Sequence, residues 1–173
     1  MEVGLLILRL ILAAIFAVAG IGKLLDLKGS ESAIAGFGVP KSLAKPFSSL
    51  LPLAEIAFAI CLLFIETSWF GAVGCLILLG IFIGAMIYQM AKGNAPDCHC
   101  FGQIHSEPVG KKSLVRNIVI SVFAAVLAVS GKNHQGIDIF ENGFETAGKF
   151  DPMQIILGLA IVVLLAAIIY FLK

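Results

Sequence analysis

Residues 3–25 are apolar except for Arg9 near the start and Lys23 near the end, a run long enough to cross a bilayer as a single helix. Further apolar runs occupy 50–65, 69–91, 114–131 and 153–172. The second is short and holds Pro52 and Glu55, and the last carries no charged residue. With 60% hydrophobic and 13% charged residues, a chain of 173 residues has more apolar surface than one water-soluble core could hide. It is therefore expected to be an all-α, polytopic membrane helical bundle, a four-helix core plus a fifth transmembrane helix, forming a single transmembrane domain over 1–173. The lipid bilayer is its solvent. A formal charge of +1, with no basic run interleaved with aromatics, excludes nucleic acid as a partner.

The first run reads as a retained anchor, because it is longer than a signal peptide core and lacks a basic leader and a small-residue cleavage pattern. Residues 26–49 read as a connector punctuated by Gly29, Gly36, Gly38, Pro40 and Pro46, with a short interfacial turn of helix at 32–37. Glu66, Thr67 and Ser68 make a tight turn, and Trp69 then suits an interfacial anchor. Gly80 and Gly84 have the spacing that lets a second helix approach. Ser113 reads as the cap of the fourth span, and 132–151 as a polar linker.

Let side A be the side that holds the N-terminus. Five crossings then place Lys23, Glu55, Gln89, Arg116 and Asn117 towards side B, at the depth of the loop at 92–112. Ionisable groups inside a span are paired or line a polar cavity, so a Lys23 to Glu55 pair is expected there. Arg9 and Glu66 belong to side A and read as interfacial. Cys61 and Cys75 share a depth on the side A half; packing as small apolar residues is favoured over a second redox pair.

The loop contains Asp97-Cys98-His99-Cys100-Phe101-Gly102, two cysteines one residue apart. Such a pair can close a small disulfide ring or hold a soft metal, and the thiolate is the reactive species in either case. His99, Lys92, Lys111 and Lys112 favour that form by their charge. His105 could add a metal ligand, although one distant histidine is a weaker signal than paired Cys-x-x-Cys motifs. His134 reads as a solvated linker residue.

Leu8-Arg9-Leu10 through Phe16, Ala19-Gly20 and Lys23-Leu24 look like the first helix of DoxX-like membrane proteins, and Leu51-Pro52-Leu53-Ala54-Glu55 like the second. The match is closest to the MauE branch, the methylamine-utilisation family. There Asp97 to Gly102 resembles a cysteine-x-cysteine-phenylalanine-glycine loop, and Ser113 to Asn117 the opening of the next helix. The resemblance implies a redox-associated membrane protein, similar in architecture to the vitamin K epoxide reductase type of bundle. It further implies disulfide formation with a thioredoxin-like protein or a fused thioredoxin-like domain. Cys98 and Cys100 would be the exchanging, catalytic pair, supported by Lys23, Glu55, Gln89, His99, Arg116 and Asn117. No metal is assigned and no cofactor is certain; the electrons would pass between the partner and either a membrane quinone or a substrate protein. No thioredoxin-like domain is expected within residues 1–173, and His99 stands where the family has glycine. The rival readings are a membrane protein handling Cu(I) or Zn through Cys98, Cys100 and a histidine, and a non-catalytic assembly partner. Because a ring closed across one residue is strained, a Cys98–Cys100 bond would donate oxidising equivalents.

The protein is expected in the cytoplasmic (inner) membrane as a multi-pass integral protein. Nine of the twelve Lys and Arg fall on side B, which by the positive-inside rule puts the cysteine loop in the cytoplasm. The resemblance puts disulfide chemistry outside it, where thiols are not held reduced. We weight the second argument more heavily.

Overall fold

The computed structural model describes residues 2–94, 96–98 and 107–130. His99, Cys100 and His105, the linker at 132–151 with His134, and the fifth span at 153–172 lie outside the described residues. The described chain is all-α apart from one small β-ladder. Its helices are α1 (Glu2–Leu25), α2 (Leu27–Gly36), α3 (Lys41–Leu63), α4 (Ser68–Ala91) and α5 (Lys111–Val129). All except α2 are long and apolar enough to cross a membrane.

The burial pattern is that of a bundle solvated by lipid. Leu12, Phe16, Leu62, Cys75, Leu79 and Ala124 form the centre, while Ile21, Leu50, Phe70, Ile77 and Val122 are exposed on the outside. In hydrocarbon such side chains gain nothing by turning inward, so close packing holds the helices together. α1 packs mainly on α3, and α4 on α5 and α3. Gly20 makes the first contact possible: a Cβ there would lie 2.7 Å from Ile56 Cγ1 and 2.9 Å from Pro52 O. At Gly71, a Cβ would sit 2.9 Å from Leu62 N, which is the α4 to α3 approach. Gly80 and Gly84, singled out by their spacing, face open space among the described residues.

The connector is more helical than its glycines and prolines suggest. Asp26 caps α2 by accepting a hydrogen bond from Gly29 N at 2.9 Å. Then α3 starts at Lys41 rather than at residue 50 and runs through Pro46 and Pro52. Each proline removes one backbone donor, a loss tolerated inside a packed membrane bundle. The consequence is positional. Glu55 sits near the middle of a 23-residue helix, not about a turn and a half from its start.

α4 ends in a Schellman turn. Gly93 takes φ +73°, Gly93 N donates to Met90 O at 3.1 Å, and Asn94 N donates to Gln89 O at 3.0 Å. The chain then forms β1 (Asp97–Cys98), paired antiparallel with β2 (Glu107–Pro108) so that Cys98 faces Glu107 in register. Val109 N donates to Pro96 O at 2.8 Å, and the buried Val109 side chain packs in one cluster with Met86 of α4. What reads as a plain loop at 92–112 thus has a laddered root seated on the bundle. α5 begins at Lys111 with Gly110 as its N-cap. Ser113 is inside the first turn: its hydroxyl accepts from Gly110 N and donates to Gly110 O, both at 3.0 Å.

Candidate functional site

Lys23 and Glu55 form a buried ion pair, Nζ donating to Oε1. The two residues are 6% and 2% exposed, which excludes the alternative of a lysine snorkelling to headgroups. The close approach at Gly20, one turn before Lys23, puts the two side chains within reach. Lys23 Nζ also lies 5.4 Å from the centroid of the Phe82 ring, a cation–π contact.

A cavity of about 30 Å³ adjoins the pair, lined by Lys23, Glu55, Arg116 and Asn117 among apolar side chains. This is room for about one water molecule. Glu55 Oε2 is buried with no hydrogen-bond partner among the described residues. The Asn117 amide donates to Ser113 O at 2.7 Å, one turn back on α5. The arrangement can stabilise a charge or hold a proton inside the membrane, because the Lys23–Glu55 pair is buried and Arg116 lines the cavity beside it.

Gln89, grouped with these residues on depth alone, sits elsewhere. It is buried, its Nε2 donates to Gly36 O at 3.5 Å, and its Oε1 accepts from Asn94 Nδ2 at 3.2 Å. Its observed bonds tie the end of α4 to the end of α2. Lys92 also turns to a ring, with Nζ 4.2 Å from the Tyr88 centroid. Cys98 is placed by its backbone in β1, and its neighbours His99 and Cys100 lie outside the described residues. Cys61 and Cys75 are both free thiols; Cys75 is fully buried in the core and Cys61 partly so.

Arg9 differs most from its expected place. It is 2% exposed rather than interfacial, and its guanidinium donates from Nε to Leu62 O at 2.9 Å and from Nη2 to Leu63 O at 3.3 Å. Those carbonyls end α3 and have no helical partner, a costly condition in hydrocarbon. Thr67 Oγ1 supplies Cys61 O in the same way at 2.9 Å. Arg9→Met is expected to cost about 1–3 kcal/mol for each carbonyl left unpaired, and Arg9→Lys to recover only part because an ammonium has no fork. Unfolding in mixed detergent micelles measures this, and parental stability in Arg9→Met would show that the cap is dispensable. The signal was in the sequence: an ionisable residue inside an apolar run, the property that singled out Lys23.

A family model described as methylamine utilisation protein MauE matches residues 1–130. The chain is 30% identical over 123 residues to the Methylamine utilization protein MauE of Paracoccus denitrificans, an alignment covering 70% of this chain and 66% of that protein. The chain thus aligns with just under two thirds of the curated relative's length. No solved structure matches it.

Proposed function

The chain belongs to the methylamine utilisation protein MauE family and is a multi-pass membrane protein, and from that premise we propose that it is a membrane thiol-disulfide redox protein. Cys98 and Cys100 are the exchanging pair, and the partner is a thioredoxin-like protein or domain. The relative's name ties that protein to methylamine utilisation; we place this chain in the same process, supporting disulfide formation or electron transfer there.

The observation that carries the reading is the laddered root of the cysteine segment. Cys98 is paired through β1 with Glu107 and the root is seated on α4 through Val109 and Met86. Exchange requires a thiolate that a partner can reach and a leaving sulfur close to it. Two cysteines one residue apart, the first of them in the braced strand β1, meet the second requirement. Charge bias had argued for a cytoplasmic loop. Lys23 and Arg116 on side B line the internal cavity and Arg9 on side A is buried as well, so the bias keeps its direction; we place the loop outside the inner membrane on the disulfide chemistry that the family resemblance implies.

The test is a redox titration of the purified full chain, with thiols read by alkylation mass shift in buffers from about −300 to −120 mV, the range of thioredoxin-like proteins. A reversible two-thiol transition within that range is expected. Cysteines that stay reduced throughout, or that copurify with stoichiometric metal, would overturn the reading.

A further inference from the structure

A second and larger cavity, about 390 Å³, lies between α2, α3 and α4. Its volume falls within the roughly 300–1,000 Å³ of small-ligand sites. The wall is apolar except for Lys23, Ser30 and Ser48, and none of the three brings an uncommitted charge or hydroxyl. Lys23 is paired with Glu55, Ser30 Oγ donates to Lys23 O at 3.3 Å, and Ser48 Oγ donates to Lys45 O at 2.7 Å. Along α4 the lining runs from Leu78 to Met86, a rise of about 12 Å. Phe47 and Ile81, also in the wall, are 46% and 60% exposed on the outer face of the bundle, so the space is a groove open to hydrocarbon. It asks of an occupant only a flexible apolar chain.

Charge stands at one end of this groove. Val39 lines it, Pro40 is the N-cap of α3, and Lys41 is the first residue of that helix. Lys45 follows one turn later on the same face, and its carbonyl is the acceptor for the lining residue Ser48. Lys41 and Lys45 are both exposed. Neither is paired with a carboxylate among the described residues, where Lys23 is the one lysine in an ion pair. Pro40 makes no side-chain cap bond, which leaves the positive end of the α3 dipole uncompensated at the same place. Two lysines alone could do no more than snorkel to bulk headgroups. Here they stand where an apolar groove begins, and an anion joined to a long hydrocarbon chain complements both parts.

We propose that the groove is a binding site for one anionic phospholipid, with an acyl chain lying along α4 between Leu78 and Met86 and the phosphate on Lys41 and Lys45 at the start of α3. A zwitterionic lipid brings the same chain but no net charge for the lysines. The site is independent of the thiol chemistry and needs neither cysteine.

Native mass spectrometry of the full chain in detergent micelles tests it, with palmitoyl-oleoyl phosphatidylglycerol titrated against the phosphatidylcholine of the same chains. One phosphatidylglycerol per chain is expected, held about tenfold more tightly than phosphatidylcholine because two lysines act on the anionic headgroup. Lys41→Gln/Lys45→Gln should abolish that preference, and Lys111→Gln/Lys112→Gln, at the start of α5, should keep it. Ala85→Phe on α4 and Ala33→Phe on α2 fill the groove from opposite walls, and each should abolish retention of the lipid while the protein still unfolds cooperatively. Equal affinity for the two lipids, an unchanged preference in Lys41→Gln/Lys45→Gln, an equal loss in Lys111→Gln/Lys112→Gln, or parental binding in both filled variants overturns the proposal. So does a chain that retains neither lipid: found as a dimer it assigns the groove to a second copy, and found as a monomer to the apolar segment 153–172 of the same chain.

Discussion

Glu55→Leu alone is expected to destabilise the bundle by about 3–5 kcal/mol. Glu55 is 2% exposed and paired with Lys23, so removing it leaves an ammonium among apolar side chains with the Phe82 ring as a weak substitute. Lys23→Met alone creates the opposite fault and should cost a similar amount. The double variant Lys23→Met/Glu55→Leu should regain most of the loss, because an apolar pair of similar volume avoids the desolvation penalty that both ions bear. Unfolding of all four proteins in mixed micelles forms a double-mutant cycle, and simple additivity of the single losses would refute the pairing as an energetic unit.

Cys98→Ser and Cys100→Ser are each expected to abolish thiol exchange, since a single remaining sulfur cannot close the ring. They should differ in what accumulates. The remaining thiolate attacks the disulfide of an oxidised thioredoxin-like partner, releasing one partner thiolate, and the variant that keeps the exchanging sulfur retains a mixed disulfide that this chain has no second thiol to resolve. Non-reducing electrophoresis of membranes should therefore show one variant, and not the other, shifted by the mass of a thioredoxin-like protein. Exchange at the parental rate in either variant would exclude the pair from the reaction. Cys61→Ala and Cys75→Ala are the controls, since both thiols sit within membrane-spanning helices, at the other end of the bundle from the hairpin.

Much of the candidate site was legible because hydrocarbon permits few choices. A lysine and a glutamate in separate apolar runs cannot both remain unpaired there, so Lys23 and Glu55 could be joined from sequence depth alone. The same logic, applied to Arg9, would have found the cap on α3. It failed there because proximity to a run's end was read as proximity to headgroups. Gln89 was misgrouped for a related reason: depth places a residue along the membrane normal but not around the helix, and Gln89 points to Gly36 and Asn94.

What the sequence determined by itself was the presence of the four membrane-length helices among the described residues. α1 and α4 end within about a residue of their apolar runs and α5 within three at its start, since span length follows from bilayer thickness and composition. What only the tertiary structure decided was everything that depends on two segments meeting. Local rules make Pro46 and Pro52 breakers, yet α3 continues through both because packing in the bundle outweighs the lost backbone bonds. Spacing favoured Gly80 and Gly84 as a contact face. The contacts are at Gly20 and Gly71 instead, because a close approach requires a complementary surface on the other helix, and Pro52, Ile56 and Leu62 provide it. A cavity of about 390 Å³ between α2, α3 and α4 has no signature in the chain for the same reason: each helix supplies part of its wall, and only their arrangement encloses it.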